Sequence, residues 1–106
     1  MKKKSIGVGL IGLGVVGGGV ARVLINKAQV LAEQVGCPLL LQKVKVLPSH
    51  LARPQVQEMD SGLFTTDADE FFANPQIDIV VEAIGGVEPA LQYLGRAISG
   101  GKYAVT

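Results

Sequence analysis

Gly12-Leu13-Gly14-Val15-Val16-Gly17 is a GxGxxG hexapeptide, and the chemistry open to it is the holding of a diphosphate by main-chain groups. In such a loop Gly12 allows a tight turn out of a strand, Gly14 lets an anion approach a backbone that carries no Cβ, and Gly17 lets helix and strand pack closely. The amides of the helix's first turn, at the positive end of its dipole, then face the anion. Neutral backbone does the binding, so no basic surface is needed. With 14 glycines in 106 residues the pattern arises in about one shuffled chain in five, so the flanking elements must decide its meaning. The competing reading is that the glycines only permit close packing.

Those flanks have the required order. Residues 5–11 form a short apolar run of the kind a buried parallel strand shows, and from Val16 the apolar spacing changes to steps of three and four. Val16, Val20, Val23, Leu24, Ala28, Leu31 and Val35 make one stripe of an amphipathic helix of about five turns, which Gly36 stops and Pro38 keeps from continuing. Gly18 and Gly19 exceed the motif's needs and are read as allowing close packing against a neighbouring strand. Residues 39–47 read as a second strand, ended by Pro48. Residues 48–62 show no clean period and are read as a connection. A very short strand follows at 63–65, then a brief helix capped by Thr66 or Asp67 and ended at Asn74-Pro75. Residues 77–84 are the second strong strand, rich in β-branched side chains. Pro89 suits the first turn of a last helix with Leu91, Leu94, Ala97 and Ile98 on one face, and Tyr103 starts another strand. This order predicts an α/β fold, doubly wound, with a mostly parallel sheet of about five strands and helices on both faces.

In open α/β sheets ligands sit beyond the carboxyl ends of the strands. Gly85 and Gly86, which follow the strongest strand, should therefore flank the same crevice as the glycine hexapeptide, and Thr106 falls at a third strand end there. Glu82 interrupts an apolar strand and is read as structural, accepting backbone amides, ahead of a catalytic role. A dinucleotide that carries a free ribose 2′-hydroxyl usually meets a carboxylate at the end of the second strand. Here no carboxylate occurs between Val46 and Gln57, and Glu33 lies within the helix. Arg53, ahead of Ser49 and His50, is the candidate partner of a 2′-phosphate, which would favour NADP; a solvated loop arginine is the competing reading.

Composition removes other classes. Ten basic against nine acidic residues give no electrostatic footprint for nucleic acid. One cysteine, Cys37, and one histidine, His50, supply neither a disulfide nor a zinc set, which suits a reducing cytoplasm. Lys2, Lys3 and Lys4 followed by an uncharged stretch at 6–21 imitate a signal peptide. That stretch is 16 residues, short of the roughly 20 that span a bilayer, and it is rich in poor helix formers. No membrane role is read. No nucleophile elbow or metal set is visible, so no catalytic residue is assigned.

Together, Gly-Leu-Gly-Val-Val-Gly-Gly-Gly-Val at 12–20, Thr65-Thr66-Asp67, Ile77-Asp78-Ile79-Val80-Val81-Glu82 with Gly85-Gly86, and Gly101-Lys102-Tyr103-Ala104-Val105-Thr106 resemble homoserine dehydrogenase over nearly the whole chain. The resemblance implies an N-terminal NAD(P)-binding domain of Rossmann type over residues 1–106. It also implies cofactor contacts in the 12–17 loop, in Ile84-Gly85-Gly86 and at Thr106. In the family the whole enzyme interconverts homoserine and aspartate 4-semialdehyde on the route to threonine, methionine and isoleucine, and is a homo-oligomer. The family pattern runs on past the threonine with Ala-Asn-Lys and a substrate and dimerisation domain that holds the catalytic groups. On this reading the 106 residues bind NAD or NADP without turnover. Where the family often has an acidic residue after strand two, this chain has Pro48-Ser49, which leaves cofactor preference open. Another amino-acid dehydrogenase with the same module, or a non-catalytic dinucleotide sensor, are the alternatives.

Overall fold

The computed structural model describes residues 5–83 and 87–105. In chain order they form β1 (Ile6–Ile11), α1 (Val15–Asn26), α2 (Ala28–Val35), β2 (Leu39–Lys45), α3 (Pro54–Gln57), β3 (Phe64–Thr65), α4 (Ala68–Ala73), β4 (Ile79–Glu82), α5 (Val87–Ser99) and β5 (Tyr103–Val105). Among the described residues the strands make one sheet in the order β3-β2-β1-β4-β5, with every pairing parallel. The chain steps one way from β1 to β2 and β3, then returns past β1 to β4 and β5. Right-handed crossovers in opposite directions put their helices on opposite faces, which is the doubly wound Rossmann-like arrangement.

Two apolar clusters confirm the two faces. Leu10, Val44 and Val81 lie abreast on β1, β2 and β4, and Leu10 and Val44 pack with Leu13, Ala21, Val46 and Val56 from the side of α1 and α3. One residue further along β1 the pleat turns over. Ile11 packs with Val80, Ile77, Phe71 and Ala97, on the side of α4 and α5.

Several elements differ from the sequence expectation. The single five-turn helix is two: Lys27, at φ −114° and ψ 23°, leaves the helical region, and α2 restarts after it. Both halves still contact β2. The break re-aims α2, which buries none of its residues, so the expected stripe does not bury as one face. Val23 and Val35 are each 49% exposed, whereas Ala21, absent from that stripe, is buried. A small side chain at the closest approach leaves flanking valines outside. The stop is as expected, with Gly36 at φ +94°, a conformation open to glycine.

The 48–62 connection is ordered into short pieces whose length hides any period. A 3-10 turn at Pro48–His50 precedes α3, whose Val56 is buried, and a second at Ser61–Leu63 is capped by Asp60 Oδ1 accepting from the Gly62 amide at 2.9 Å. Asp67 alone caps α4, accepting from the amides of Asp69 and Glu70. β4 is shorter than the run 77–84. Helix α5 starts at Val87, so Pro89 is its third residue. Its expected face holds in part: Ala97 is fully buried and Leu94 half-buried, while Leu91 and Ile98 stand 63% and 67% exposed and Tyr93, absent from that face, packs beside Ala97. An aromatic left out of the apolar count turned the stripe.

Candidate functional site

The sheet order reverses between β1 and β4, so the crevice of this fold opens past Ile11 and Glu82. Gly12 leaves β1 at φ +93°, in the left-handed region that favours glycine, and its amide donates to the Lys45 carbonyl at 2.9 Å. The turn is thereby hung from the end of β2. Leu13 is buried in the α1-side cluster and pins the loop to the sheet. Gly14 is the N-cap of α1, exposed, with no side-chain cap. A Cβ built on Gly14 would meet no atom within 4 Å.

Helix α1 begins at Val15 and the Gly18 amide donates to the Gly14 carbonyl at 2.7 Å, so the amides of Val15, Val16 and Gly17 precede the helix's own ladder. No acidic residue occupies the first turn. Donors, dipole and open space at Gly14 fit a diphosphate. The expected reason for Gly18 and Gly19 does not hold. A Cβ at Gly19 would touch nothing within 4 Å, and one at Gly18 only the end of Arg22 at 3.9 Å.

Two glycines the motif leaves out do the close packing. A Cβ on Gly7 would lie 1.7 Å from the Gln76 carbonyl oxygen, and one on Gly9 would lie 2.7 Å from Phe71 Cζ and 2.9 Å from Ile77 Cδ1. The only signal for them in the sequence was the local excess of glycine.

Beside the loop lies a cavity of about 310 Å³ lined by Gly12, Lys45, Val46, Leu47, His50 and Tyr93, among others. That volume is at the low end for small-molecule sites and suits part of a dinucleotide. Lys45 Nζ donates to the Tyr93 hydroxyl at 3.4 Å and sits 5.6 Å from that ring's centroid. Tyr93 in turn stacks on Phe72 at 5.9 Å. Sequence reasoning passed over Lys45, since a lysine inside a strand carries no motif. His50 lines the cavity; Arg53 is exposed, at the N-cap of α3, and is not among the lining residues. Ile84, Gly85, Gly86 and Thr106 lie outside the described residues. Glu82 is 7% exposed, and no buried side-chain nitrogen or oxygen among the described residues lacks a hydrogen-bond partner. Among the described residues no group of three or more His, Cys, Asp or Glu is arranged to hold a metal ion, and no helix is long and apolar enough to cross a membrane.

The family model described as "Homoserine dehydrogenase, NAD binding domain" matches residues 12–106. The chain belongs to this family. It is 39% identical over 103 residues to homoserine dehydrogenase of Bacillus subtilis, covering 97% of this chain and 23% of that protein. Among solved structures, homoserine dehydrogenase from Thiobacillus denitrificans superposes with a TM-score of 0.78 at 37% identity, covering 95% of this chain and 23% of that one. Homoserine dehydrogenase of S. aureus, crystallised at pH 7.5, gives a TM-score of 0.81 at 26% identity over 97% of this chain and 25% of that one. The chain therefore spans about a quarter of the length of the homoserine dehydrogenases it matches. The Rossmann-like fold and the family agree.

Proposed function

We propose that the chain holds the diphosphate of NAD or NADP on the amides that open α1, and that it does so as the cofactor module of homoserine/aspartate 4-semialdehyde oxidoreduction. The observation that carries this reading is the start of α1 at Gly14. Main-chain donors precede the helix ladder there, no side chain caps the helix, and a Cβ on Gly14 would meet no atom within 4 Å. Membership of the family supports the same assignment.

In this reading Gly12 shapes the turn, Leu13 anchors it, and Gly14, Val15, Val16 and Gly17 present the amides. Ile84, Gly85 and Gly86, which follow β4 in the chain, and Thr106, which follows β5, would line the crevice toward the nicotinamide. Arg53, the cation of the connection after β2, is exposed at the N-cap of α3 and would face a 2′-phosphate only from the solvent side. The cofactor, when bound, supplies the hydride acceptor or donor; this chain's residues bind and orient it. No residue here is assigned to proton transfer or to the amino-acid substrate, which the reading gives to further parts of the whole enzyme. A cytoplasmic setting belongs to the same reading and keeps Cys37 a free thiol.

Calorimetric titration of the 106-residue chain with NAD and with NADP tests the proposal. Saturable binding of at least one is expected, with no oxidation of homoserine by the same sample. Absence of binding to both, in a sample with cooperative unfolding, would remove the cofactor reading.

A further inference from the structure

We infer that Lys45 is the residue that selects the cofactor's form, by pairing with a phosphate on the ribose 2′-position, so that the chain prefers NADP. The inference rests on the cofactor reading above and adds to it the identity of the selecting charge. Lys45 is the last residue of β2, level with Ile11 in the register, and its carbonyl receives the Gly12 amide. Its place relative to the glycine turn is thus fixed by the sheet and not by a loop.

Lys45 lines the 310 Å³ cavity together with Gly12, His50 and Tyr93. It is partly buried, and its described polar partner is a neutral hydroxyl, Tyr93, at 3.4 Å. Among the described residues no carboxylate lies within ion-pair distance of it. A half-buried charge ordinarily has a counter-charge. The neighbouring Lys43, two residues earlier on the same face of β2, shows the ordinary arrangement: its ammonium donates to the Gly62 carbonyl at 2.8 Å and lies 4.0 Å from Glu70 Oε1. Lys45 is left for an anion that enters the cavity.

The same stretch lacks the group that would read a free 2′-hydroxyl. From Val46 to Gln57 there is no carboxylate, and none lines the cavity among the described residues. A cation in a cavity at the end of β2, without an acid to accept from the ribose, discriminates in one direction. It gains a charge-assisted contact with the phosphorylated ribose and offers the unphosphorylated one no acceptor. Arg53 carries the same sign of charge but is exposed to solvent and stands outside the cavity lining, where screening weakens it.

The test is calorimetry of the full chain against NAD and NADP, with adenosine 5′-monophosphate and adenosine 2′,5′-bisphosphate as smaller probes that differ by the one phosphate. The wild type is expected to bind NADP and the bisphosphate roughly tenfold to a hundredfold more tightly than their counterparts. Lys45→Met is expected to bring both ratios to within about threefold of unity, and Lys45→Arg to retain most of the preference. The urea midpoint of each variant shows whether it folds, and the two probe pairs measured on the wild type test the phosphate preference without any substitution. Equal affinity of the wild type for both members of each pair overturns the inference while leaving the cofactor reading intact. A preference that survives in Lys45→Met and disappears in Arg53→Ala transfers the role to Arg53 and also overturns it. Failure of the wild type to bind any of the four overturns the cofactor reading, and this inference with it.

Discussion

Gly7 and Asp78 hold each other at two points: the Asp78 amide donates to the Gly7 carbonyl, and the Gly7 amide donates to Asp78 Oδ2, both at 2.8 Å. The pair sits one residue ahead of the β1–β4 register, which begins at Val8 and Ile79, so it aligns the two strands on either side of the crevice. A carboxylate accepting a partly buried amide is worth about 1.5–3 kcal/mol. Asp78→Ala is expected to lower stability by about that amount, read as a lower urea midpoint at unchanged slope. Asp78→Asn, which keeps an acceptor oxygen, should recover part of the loss.

Gly9 faces Phe71 and Ile77, both fully buried, with an added Cβ at 2.7 and 2.9 Å from their atoms. Gly9→Ala must therefore displace the core on the α4 side, and about 1–3 kcal/mol of destabilisation is expected. Phe71→Leu should make the alanine less costly, so that the double variant is more stable than the sum of the two single losses predicts. Strict additivity in chemical denaturation would mean that the clash is relieved elsewhere. Gly7→Ala is expected to cost more than Gly9→Ala, because the obstacle is the Gln76 carbonyl and backbone gives way less readily than a side chain.

The parts of this fold that were legible in the sequence are those set by backbone chemistry. Gly36 and Pro38 end the first helical region, Asp67 caps α4, and the parallel strands show as apolar runs between glycines. The break at Lys27 was not legible, since neither proline nor glycine marks it and the apolar period runs through it. Ala21 was missed because the three-and-four step was anchored on the valines beside it, and Tyr93 because the last helix's stripe was counted from aliphatic side chains alone. At the site, the hexapeptide was legible because each glycine's task is local. Lys45 was not, because its meaning depends on Tyr93, 48 residues away, and on a cavity that exists only after the sheet has formed.

Arg96 Nη2 and Asp69 Oδ1 form an ion pair at 2.8 Å between α5 and α4, with side chains 42% and 87% exposed. At that exposure solvent screening leaves little, and a double-mutant cycle of Arg96→Ala and Asp69→Ala is expected to give a coupling of about 0.5 kcal/mol or less, vanishing in 1 M salt. The single losses should still differ. Arg96 also lies 4.7 Å over the Phe72 ring, so Arg96→Ala forfeits a cation–π contact and the cover its stem gives that ring, and it should destabilise more than Asp69→Ala. Equal single losses with a large coupling would show that the ion pair outweighs the ring contact.

Gly14 and Gly19 both have open space where a Cβ would go, and they separate folding from binding. Gly14 has φ −78°, outside the left-handed region reserved for glycine, so Gly14→Ala should fold with a loss near 1 kcal/mol for a poorer N-cap. Its methyl group would nevertheless stand where a diphosphate must approach the amides of α1, and at least about tenfold weaker binding of NAD and NADP is expected. Gly19 lies inside α1, where alanine is the better helix former, so Gly19→Ala should gain about 0.5–1 kcal/mol and leave cofactor affinity unchanged. Thermal melts and calorimetry on the two variants read the two effects separately. If Gly14→Ala binds as tightly as Gly19→Ala, the diphosphate does not rest at the start of α1.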